Sequence, residues 1–344
     1  MKAWILHGAG DIRFEDTECV KPAPGFVRLK VKAAGICGSD IPRIYKTGAH
    51  RMPLIPGHEF SGIVEEAGEG VDPSLKGLRA GVYPLIPCRK CDACSRGLYE
   101  LCRDYDYTGS RRDGAFAEYV NVPAANLIEL PDEVSFEAAA MLEPMAVAVN
   151  AVRRGTEGFT LDKAAKVTVC GLGTIGIFVC MFLAGAGYAN IYGIGNKPGQ
   201  KERFTSLGIP EDHYIDSGSG SMDKTEGAAL IFECVGKNET LALGIDLAGP
   251  AGRLVLVGNP YSSMSLEKDT YWKLLRKEMT VRGVWNSVFN GKDDDDWHYV
   301  ISALKAGKVD PERFITQKFP LSELEKGFII MRDKTEDYCK VMFS

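Results

Sequence analysis

The order of apolar and polar residues gives the first 150 residues a strand-rich character. Short apolar or alternating runs lie there between glycine and proline residues, as is typical of strands. The strands predicted from these runs cover residues 26–31, 62–65, 80–83 and 116–122. One stretch, residues 136–153, instead has apolar residues at helical spacing and predicts a helix.

The pattern changes after about residue 150, where compact apolar strands begin to alternate with helices. The predicted strands cover residues 166–170, 190–194, 228–233 and 253–258, and the predicted helices cover residues 177–186 and 201–207. Such alternation indicates a parallel sheet with helices on both faces. From about residue 290 the chain becomes polar and then helical again, at residues 297–306 and 321–332.

Composition sets limits on the partners of this chain. It has 344 residues, 45% of them hydrophobic, and a formal net charge of −5. Its length favours two domains, and its acidic balance argues against nucleic acid or an anionic membrane as a partner. The N-terminus lacks the features of a signal peptide, and no apolar run is long enough for a membrane span. We therefore expect a cytoplasmic protein. We also expect the acidic run 293–296 to be a solvated loop.

Four of the ten cysteines lie within fifteen residues, at Cys88, Cys91, Cys94 and Cys102. Two-residue gaps allow neighbouring sulfur atoms to converge on one ion, and four thiolates complete a tetrahedral zinc shell. Such a site has no open position, so the spacing predicts a structural zinc. The alternatives are an iron–sulfur cluster, a nucleic-acid-binding zinc ribbon and four unrelated buried cysteines.

A second metal site is predicted from residues that lie far apart in the sequence. Cys37 lies in a C-G-S-D motif, His58 in G-H-E and Glu143 in L-E-P. Together they provide the thiolate, imidazole and carboxylate of a catalytic zinc with one open position. An open zinc can bind an alcohol oxygen and lower its pKa. Glu59, next to His58, is either a further ligand or a residue behind the ligands.

A glycine-rich turn follows the predicted strand 166–170 and precedes a predicted helix. A G-x-G-x-x-G turn in this context is typical of a dinucleotide-binding site, because the glycines and the helix N-terminus can approach a pyrophosphate. The residues predicted to contact the cofactor in this turn are Gly171, Gly173, Thr174, Ile175 and Gly176.

The end of the next predicted strand departs from the usual NAD-binding pattern. An acidic residue is expected there to bind the ribose 2′-hydroxyl, but the sequence has Gly195, Asn196 and Lys197. Without a carboxylate, a 2′-phosphate is not repelled, and Lys197 can pair with it. The turn therefore predicts a preference for NADP. The alternative is that Lys197 is a solvated loop residue and that NAD is bound through the backbone.

These motifs, in this order and over nearly the whole chain, resemble the zinc-dependent medium-chain dehydrogenases of the polyol dehydrogenase type. The resemblance implies a GroES-like β-rich catalytic domain from residues 1–150 and 290–344. It also implies a Rossmann domain, a doubly wound parallel sheet, inserted at residues 151–289. It further implies two zinc ions per subunit, a homodimer or homotetramer, and NAD as cofactor. The Gly195 turn contradicts NAD, and we give that local chemistry more weight.

The expected activity is hydride transfer between NAD(P) and a secondary alcohol of a polyol or sugar-alcohol phosphate. Residues 37–50 and 109–119 resemble the branch of the family that acts on phosphorylated polyols. Pro42 stands where sorbitol-type relatives often carry a histidine, so Ser39 is left to pass on the alcohol proton. The cations that could bind a substrate phosphate are Arg43, Lys46, His50, Arg111 and Arg112.

Other readings remain open at this stage. The substrate could instead be a simple alcohol, a diol or sorbitol, used with NADP. A protein that binds zinc and a nucleotide without catalysis is the alternative from a different class. The complete set of Cys37, His58 and Glu143 argues against it.

Overall fold

The computed structural model describes residues 1–218, 222–260 and 262–344. They form two compact units. The first consists of Met1–Glu143 with Ser287–Ser344, and the second of Pro144–Asn286. These limits precede the boundaries predicted after residues 150 and 289 by seven and three residues. The first limit falls inside a helix, so no change in local residue pattern marks it.

The strands of the described residues range in length from two to eleven residues. In chain order they are β1 Lys2–Gly8, β2 Asp11–Asp16, β3 Phe26–Ile36, β4 Glu59–Ala67, β5 Arg79–Val82, β6 Leu85–Ile86, β7 Asp106–Tyr107, β8 Tyr119–Pro123, β9 Leu127–Glu129, β10 Val167–Cys170, β11 Ile191–Gly195, β12 Tyr214–Asp216, β13 Ala228–Glu233, β14 Ala248–Leu256, β15 Thr280–Gly283, β16 Ile315–Phe319 and β17 Lys340–Phe343.

The α-helices of the described residues lie mostly in the second half of the chain. In chain order they are α1 Asp40–Pro42, α2 Asp92–Ser95, α3 Phe136–Ala140, α4 Leu142–Thr156, α5 Thr174–Gly185, α6 Gln200–Thr205, α7 Asn238–Leu247, α8 Lys268–Arg276, α9 Asp296–Lys305 and α10 Leu324–Asp333. None of the helices in the described part of the chain is long and apolar enough to cross a membrane.

The first unit is built on a sheet with the strand order β16-β17-β3-β4-β5-β9, and β8 also pairs with β3. β3 is central because it pairs antiparallel with β4, β8 and β17. Its buried side chains join those of β1, β4, β17 and α10 in one hydrophobic core. The sequence analysis did not predict the hairpin β1–β2 or the C-terminal strands β16 and β17. The strand β17 comes from the far end of the chain and pairs with β3.

The second unit is a six-stranded parallel sheet with the order β12-β11-β10-β13-β14-β15. This is the doubly wound order that reverses at the first strand of the unit. β10 is buried at all four positions, and α5 is buried from Gly176 to Leu183. Both are therefore covered on every side, which agrees with their mainly apolar sequences. The predicted fold class, a β-rich unit with a doubly wound parallel sheet, is confirmed.

Two local predictions differ from the structure. The helix predicted at residues 136–153 is divided into α3 and α4 at Met141. The acidic run 293–296 is not wholly solvated, because Asp295 and Asp296 are buried. Asp295 accepts hydrogen bonds from the backbone N–H groups of His298, Asn290 and Gly291. It therefore caps α9, and nothing in the residue pattern indicated that backbone donors would surround it.

Candidate active site and metal centres

The mixed metal site forms at the point where β3 ends and β4 begins. Gly35 pairs with Glu59 across these antiparallel strands, which brings Cys37 next to His58. One ligand atom each from Cys37, His58 and Glu59 lies within 4.8 Å of the others. His58 and Glu59 are buried and Cys37 is half-buried. The pairing of two strands thus brings together groups that are 21 and 22 residues apart.

The backbone before His58 requires glycine. Gly57 has a φ of +99°, and a Cβ on it would lie 2.6 Å from the Phe116 ring. Gly109 and Gly114 pack against the Gly57 carbonyl so closely that neither can carry a side chain. The Gly109–Gly114 turn thus supports the backbone that presents His58. This explains the glycines in both motifs by close approach of the chain.

Asp40 lies behind the ligands and is completely buried. Its Oδ2 accepts a hydrogen bond of 3.0 Å from the Cys37 backbone N–H, and its Oδ1 is ion-paired with Arg43. The same Oδ1 lies 3.5 Å from Nδ1 of His58. Burial alone would lower the pKa of His58, but the charges of Asp40 and Cys37 overcome it and raise that pKa well above its ordinary value.

The negative charge of Glu59 is balanced by a lysine from the last strand, β17. Lys340 and Glu59 are both buried, and Nζ of Lys340 donates a 2.5 Å hydrogen bond to Oε2 of Glu59. Nζ also donates to the Ile36 carbonyl at 3.3 Å. A buried carboxylate needs such a partner, because an unpaired charge in the interior is strongly unfavourable. The sequence analysis missed Lys340, since nothing near it in the chain indicates a metal site.

Glu143 lies outside the 4.8 Å group, close to the N-terminal end of α4. It is buried and accepts a 3.2 Å hydrogen bond from the Tyr107 hydroxyl. Burial, supported by the negative charge of Glu59, raises the pKa of Glu143 to about 7, against the attraction of His58. The Tyr107 ring also meets the His58 ring edge-on at 5.7 Å. Glu143 as a zinc ligand stays a prediction.

The donor set of the mixed site fits zinc. A sulfur, an imidazole and a carboxylate are the ligand types of catalytic zinc sites. Nδ1 of His58 is buried, has no hydrogen-bond partner at normal length, and faces Asp40. A carboxylate next to one ring nitrogen is the usual arrangement when the other nitrogen binds a metal. The site therefore suits an ion bound on the opposite side of the ring.

The four-cysteine site also fits zinc, and it is formed within one short segment. One sulfur each from Cys88, Cys91, Cys94 and Cys102 lies within 4.8 Å of the others. The sulfurs of Cys88 and Cys94 are 4.0 Å apart, and those of Cys91 and Cys102 are 3.9 Å apart. Zinc–sulfur bonds of about 2.3 Å in a tetrahedron place the sulfurs about 3.8 Å apart. The chain already holds them close to that spacing.

The environments of two of these sulfurs differ. Backbone N–H groups of Cys94 and Arg103 lower the pKa of the Cys91 thiol to about 6. Burial raises the pKa of the Cys94 thiol to about 12. Zinc binds thiolates, so metal binding at this site has to release the proton from Cys94.

The glycine-rich turn of the second unit has the geometry that a dinucleotide site needs. Gly171 has a φ of +93°, and a Cβ on it would overlap the Val235 side chain. A Cβ on Gly176 would overlap the Gly171 carbonyl, so this glycine lets α5 pack against the turn. Gly173, at the N-cap of α5, faces open space. These are the three roles of a dinucleotide fingerprint: tight turn, helix packing, and room for a pyrophosphate.

Beyond β11 the structure shows two residues that the sequence analysis missed. Oε1 of the buried Gln200 accepts 3.0 Å hydrogen bonds from the backbone N–H groups of Asn196 and Lys197. A Cβ on Gly195 would lie 3.1 Å from the hydroxyl of Tyr214 on the neighbouring strand β12. Parallel pairing of β11 with β12 explains this closeness. Lys197 itself is exposed.

The loop after β13 is held by Glu233, a buried carboxylate at the end of that strand. Its Oε1 accepts 2.8 Å hydrogen bonds from the backbone N–H groups of Val235 and Gly236 and from the Thr240 hydroxyl. Its backbone carbonyl accepts from the N–H groups of Val257 and Gly258. Both loops lie at the carboxyl ends of parallel strands, where dinucleotides bind in this architecture.

The predicted substrate cations have different environments. Arg43 is ion-paired with Asp40, and Arg112 lies 3.2 Å from Asp106. Arg111 stacks on the Tyr105 ring at 4.4 Å. Lys46 and His50 are exposed. Arg43 and Arg112 thus already have carboxylate partners, which the sequence did not show.

The fold is that of the zinc-dependent medium-chain alcohol dehydrogenases. Residues 23–132 match the family of alcohol dehydrogenase GroES-like domains, and residues 174–306 match the zinc-binding dehydrogenase family. The chain belongs to the zinc-dependent medium-chain polyol and alcohol dehydrogenases, and the resemblance inferred from its motifs is confirmed.

Among its relatives, galactitol 1-phosphate 5-dehydrogenase of Escherichia coli is 34% identical over 301 residues, 85% of each chain. Human sorbitol dehydrogenase is 29% identical over 339 residues, which covers 94% of this chain and 90% of the relative. The crystal structure of the galactitol-1-phosphate dehydrogenase from Escherichia coli has a TM-score of 0.90 and 29% identity, over 100% of this chain and 99% of that one.

Two further solved structures contain a nicotinamide cofactor. A zinc-binding dehydrogenase from Sinorhizobium meliloti, bound to NADP, has a TM-score of 0.88 and 25% identity, over 99% of this chain and 98% of that one. An alcohol dehydrogenase from Escherichia coli, complexed with NADH, has a TM-score of 0.89 and 28% identity, over 100% of this chain and 99% of that one. A nicotinamide cofactor is thus supported, and both forms occur among the similar structures.

Proposed function

We propose that this enzyme oxidises a secondary alcohol of a sugar-alcohol phosphate to the ketone, as a galactitol-1-phosphate 5-dehydrogenase does, and also runs the reverse reaction. The observation that carries the proposal is the convergence of Cys37, His58 and Glu59 within 4.8 Å. The likeness to galactitol 1-phosphate 5-dehydrogenase supports this substrate class. Sorbitol dehydrogenases are also among the relatives, so free polyols and diols are the competing substrates.

The mixed site would hold the catalytic zinc through Cys37, His58 and Glu59. Glu143, which the sequence predicts as the third ligand, would be the alternative carboxylate. A bound zinc ion supplies a Lewis acid that lowers the pKa of an alcohol oxygen. Asp40 keeps the His58 ring in the orientation for binding, and Lys340 holds the carboxylate of Glu59 in place.

Ser39 is the proposed acceptor of the alcohol proton. It is half-buried, and its hydroxyl donates a 3.3 Å hydrogen bond to the Cys37 sulfur. A hydroxyl that donates to one group keeps its lone pairs available to accept from another. Because Pro42 is exposed and carries no titratable group, the Ser39 hydroxyl would turn from Cys37 and give its own proton directly to water as it takes up the alcohol proton. A bound nicotinamide would supply the hydride acceptor, and the glycine-rich turn with the Glu233 loop would bind and orient that cofactor.

The four-cysteine site would hold a second, structural zinc. Four thiolates leave no position for substrate, and the sulfur spacing of 3.9 and 4.0 Å supports such an ion. Two zinc ions per subunit, measured by atomic emission on purified protein, are the expected result. A single zinc would contradict one of the two assignments.

We further propose that NADP is preferred over NAD. Gly195, Asn196, Lys197 and the Tyr214 hydroxyl would form the pocket for a 2′-phosphate, since no carboxylate stands at the end of β11. Lys197→Ala should lower kcat/KM for NADP about tenfold and leave that for NAD unchanged. Lys201→Ala, which removes an exposed lysine paired with Glu211, is the matched control. An equal loss for both cofactors would contradict the assignment.

The substrate is tested by comparing kcat/KM for galactitol 1-phosphate, galactitol, sorbitol and 2,3-butanediol with each cofactor at 340 nm. We propose that Arg111 and His50 contact the phosphate. The phosphorylated polyol should be preferred at least tenfold, because a charged hydrogen bond contributes about 1.5–3 kcal/mol. Equal rates with galactitol would contradict a phosphate-binding site. No turnover with any alcohol, with zinc present, would contradict a dehydrogenase.

We propose a cytoplasmic homodimer or homotetramer, formed through the edge of the parallel sheet. β15 has no partner on its outer side among the described residues, and exposed apolar side chains lie on α8, on β15 and just after β15 in the sequence. They are Trp272, Leu275, Val281 and Trp285. Exposed apolar groups beside a free strand edge favour pairing with a second copy. Val281→Lys should dissociate the oligomer in light scattering, and an unchanged mass would contradict this interface.

A further inference from the structure

The Arg43 side chain contacts the mixed metal site through Asp40. Arg43 follows α1 at the start of the π-helical turn Arg43–Thr47, three residues after Asp40. Residues three apart on a helical turn share one face, and the Arg43 guanidinium is ion-paired with Oδ1 of Asp40. Asp40 is completely buried, and the Arg43 side chain is 18% exposed.

Asp40 connects this ion pair to two predicted zinc ligands. Its Oδ2 accepts from the backbone N–H of Cys37, and its Oδ1 lies 3.5 Å from Nδ1 of His58. One carboxylate thus touches the backbone of the thiol ligand and the ring of the imidazole ligand. Any rotation of Asp40 would disturb both.

Asp40 also lies in an environment crowded with negative groups. The mixed site contains Cys37 and Glu59, and Lys340 is already paired with Glu59. Arg43 is the permanently charged partner of Asp40, because His58 is neutral when it binds zinc, so without Arg43 the buried carboxylate would lose its ion pair. A buried carboxylate without such a partner rotates, takes up a proton or draws in water.

We propose that Arg43 is a positioning residue for the catalytic zinc, acting through Asp40 on His58 and Cys37, and not a clamp for the substrate phosphate. This inference rests on the proposed function, because it takes the mixed site as a zinc site. Residues that orient metal ligands typically change metal affinity 10–100-fold when they are replaced. Arg43 contacts the ligands only through Asp40, so we expect its replacement to change the metal affinity by an amount at the lower end of that range.

The test is a measurement of zinc affinity. The catalytic zinc of the intact enzyme is removed with dipicolinate and refilled with Co²⁺, whose absorption reports on a site with a single thiolate. Zn²⁺ competition against this signal gives the affinity of the mixed site. Arg43→Gln should lower that affinity about tenfold, and the zinc of the four-cysteine site should stay bound. Arg43→Lys should restore most of the affinity, because one charged donor to Oδ1 is all that the contact requires.

Arg51→Gln is the matched control. Arg51 lies in the same unit, its side chain is 55% exposed, and its ion pair with the equally exposed Asp113 is long, at 3.6 Å. Its replacement should leave both metals unchanged. If Arg43→Gln unfolds, as its melting curve would show, the Arg43→Lys and Asp40→Asn variants provide the comparison, and Asp40→Asn should lower the affinity more than Arg43→Lys does.

Three results would overturn the proposal in different ways. Native Zn²⁺ affinity and a native Co²⁺ spectrum in folded Arg43→Gln would show that Arg43 does not position the ligands. A raised KM for galactitol 1-phosphate but not for galactitol, with native metal affinity, would make Arg43 the phosphate clamp. A wild-type enzyme that binds zinc only at the four cysteines would instead refute the proposed function itself.

Discussion

The four-cysteine site and the mixed site lie in the same structural unit, but they gather their ligands differently. Cys88 and Cys102 delimit a segment of fifteen residues, and the backbone N–H groups that lower the pKa of Cys91 belong to this segment and to Arg103, the residue that follows it. The mixed site joins the ends of β3 and β4, and its charged neighbours come from α1 and from β17.

This difference predicts which substitutions should disturb each site. The local site depends on its own segment and on the ion, so distant substitutions should spare it. The mixed site contains buried charges that stay in place only while each has its partner. It should therefore be sensitive to residues as distant in sequence as Lys340. The following predictions test this contrast, beginning with the largest expected effect.

Cys37→Ser should abolish catalysis with little loss of stability. Zinc polarisation of the alcohol supplies several kcal/mol of transition-state stabilisation, so kcat/KM should fall by more than about 10³-fold. Steady-state kinetics with a zinc assay checks this, and Cys19→Ser, which lies outside both metal groups, is the control. Near-native turnover in Cys37→Ser would remove the mixed site from the mechanism.

Cys91→Ser should have the opposite effect, because it should lower the stability of the protein more than its catalytic activity. Binding of a structural zinc is coupled to folding of its segment. The melting temperature should fall by about 10 °C, and limited proteolysis should cut between residues 88 and 102. Native melting behaviour after zinc loss at these cysteines would mean that the ion is not structural.

Lys340→Met should destabilise the protein although Lys340 binds no metal. It leaves the buried Glu59 carboxylate without its cation, which costs about 3 kcal/mol of unfolding free energy. Urea unfolding measures this loss, and Lys340→Arg should recover part of it. Lys318→Met, at an exposed lysine paired with Glu137, should change stability by less than about 1 kcal/mol. Equal effects of the two methionine variants would contradict the role of buried charge.

The smallest expected effect is a difference within the four-cysteine site after zinc removal. The pKa of about 6 makes Cys91 mostly thiolate at neutral pH, whereas Cys94, with a pKa of about 12, stays protonated. Iodoacetamide should therefore label Cys91 first, and the rate should fall as the pH drops through 6. Mass spectrometry identifies the labelled residue. Equal labelling of both cysteines, or labelling with zinc still bound, would contradict the assignment.

The sequence by itself determined the four-cysteine site and the parallel unit, because both depend on local order. Cysteine spacing over fifteen residues can be read without a fold, and so can strand–turn–helix patterns such as Gly171–Gly176. Apolar runs like that of β10 define a buried strand wherever the strand lies. The helix break at Met141 shows the limit of this approach, since helical spacing continues through it.

Only the tertiary structure decided which groups surround the mixed site. The motifs indicated Cys37, His58 and Glu143 as ligands and left the role of Glu59 open. The pairing of β3 with β4 brings Glu59 close to Cys37 and His58, whereas Glu143 is hydrogen-bonded to Tyr107. The return of β17 brought in Lys340, and the turn after α1 turned Arg43 toward Asp40. Contacts between residues far apart in the chain depend on strand register and packing, and neither can be recognised from the residues that lie next to them in the sequence.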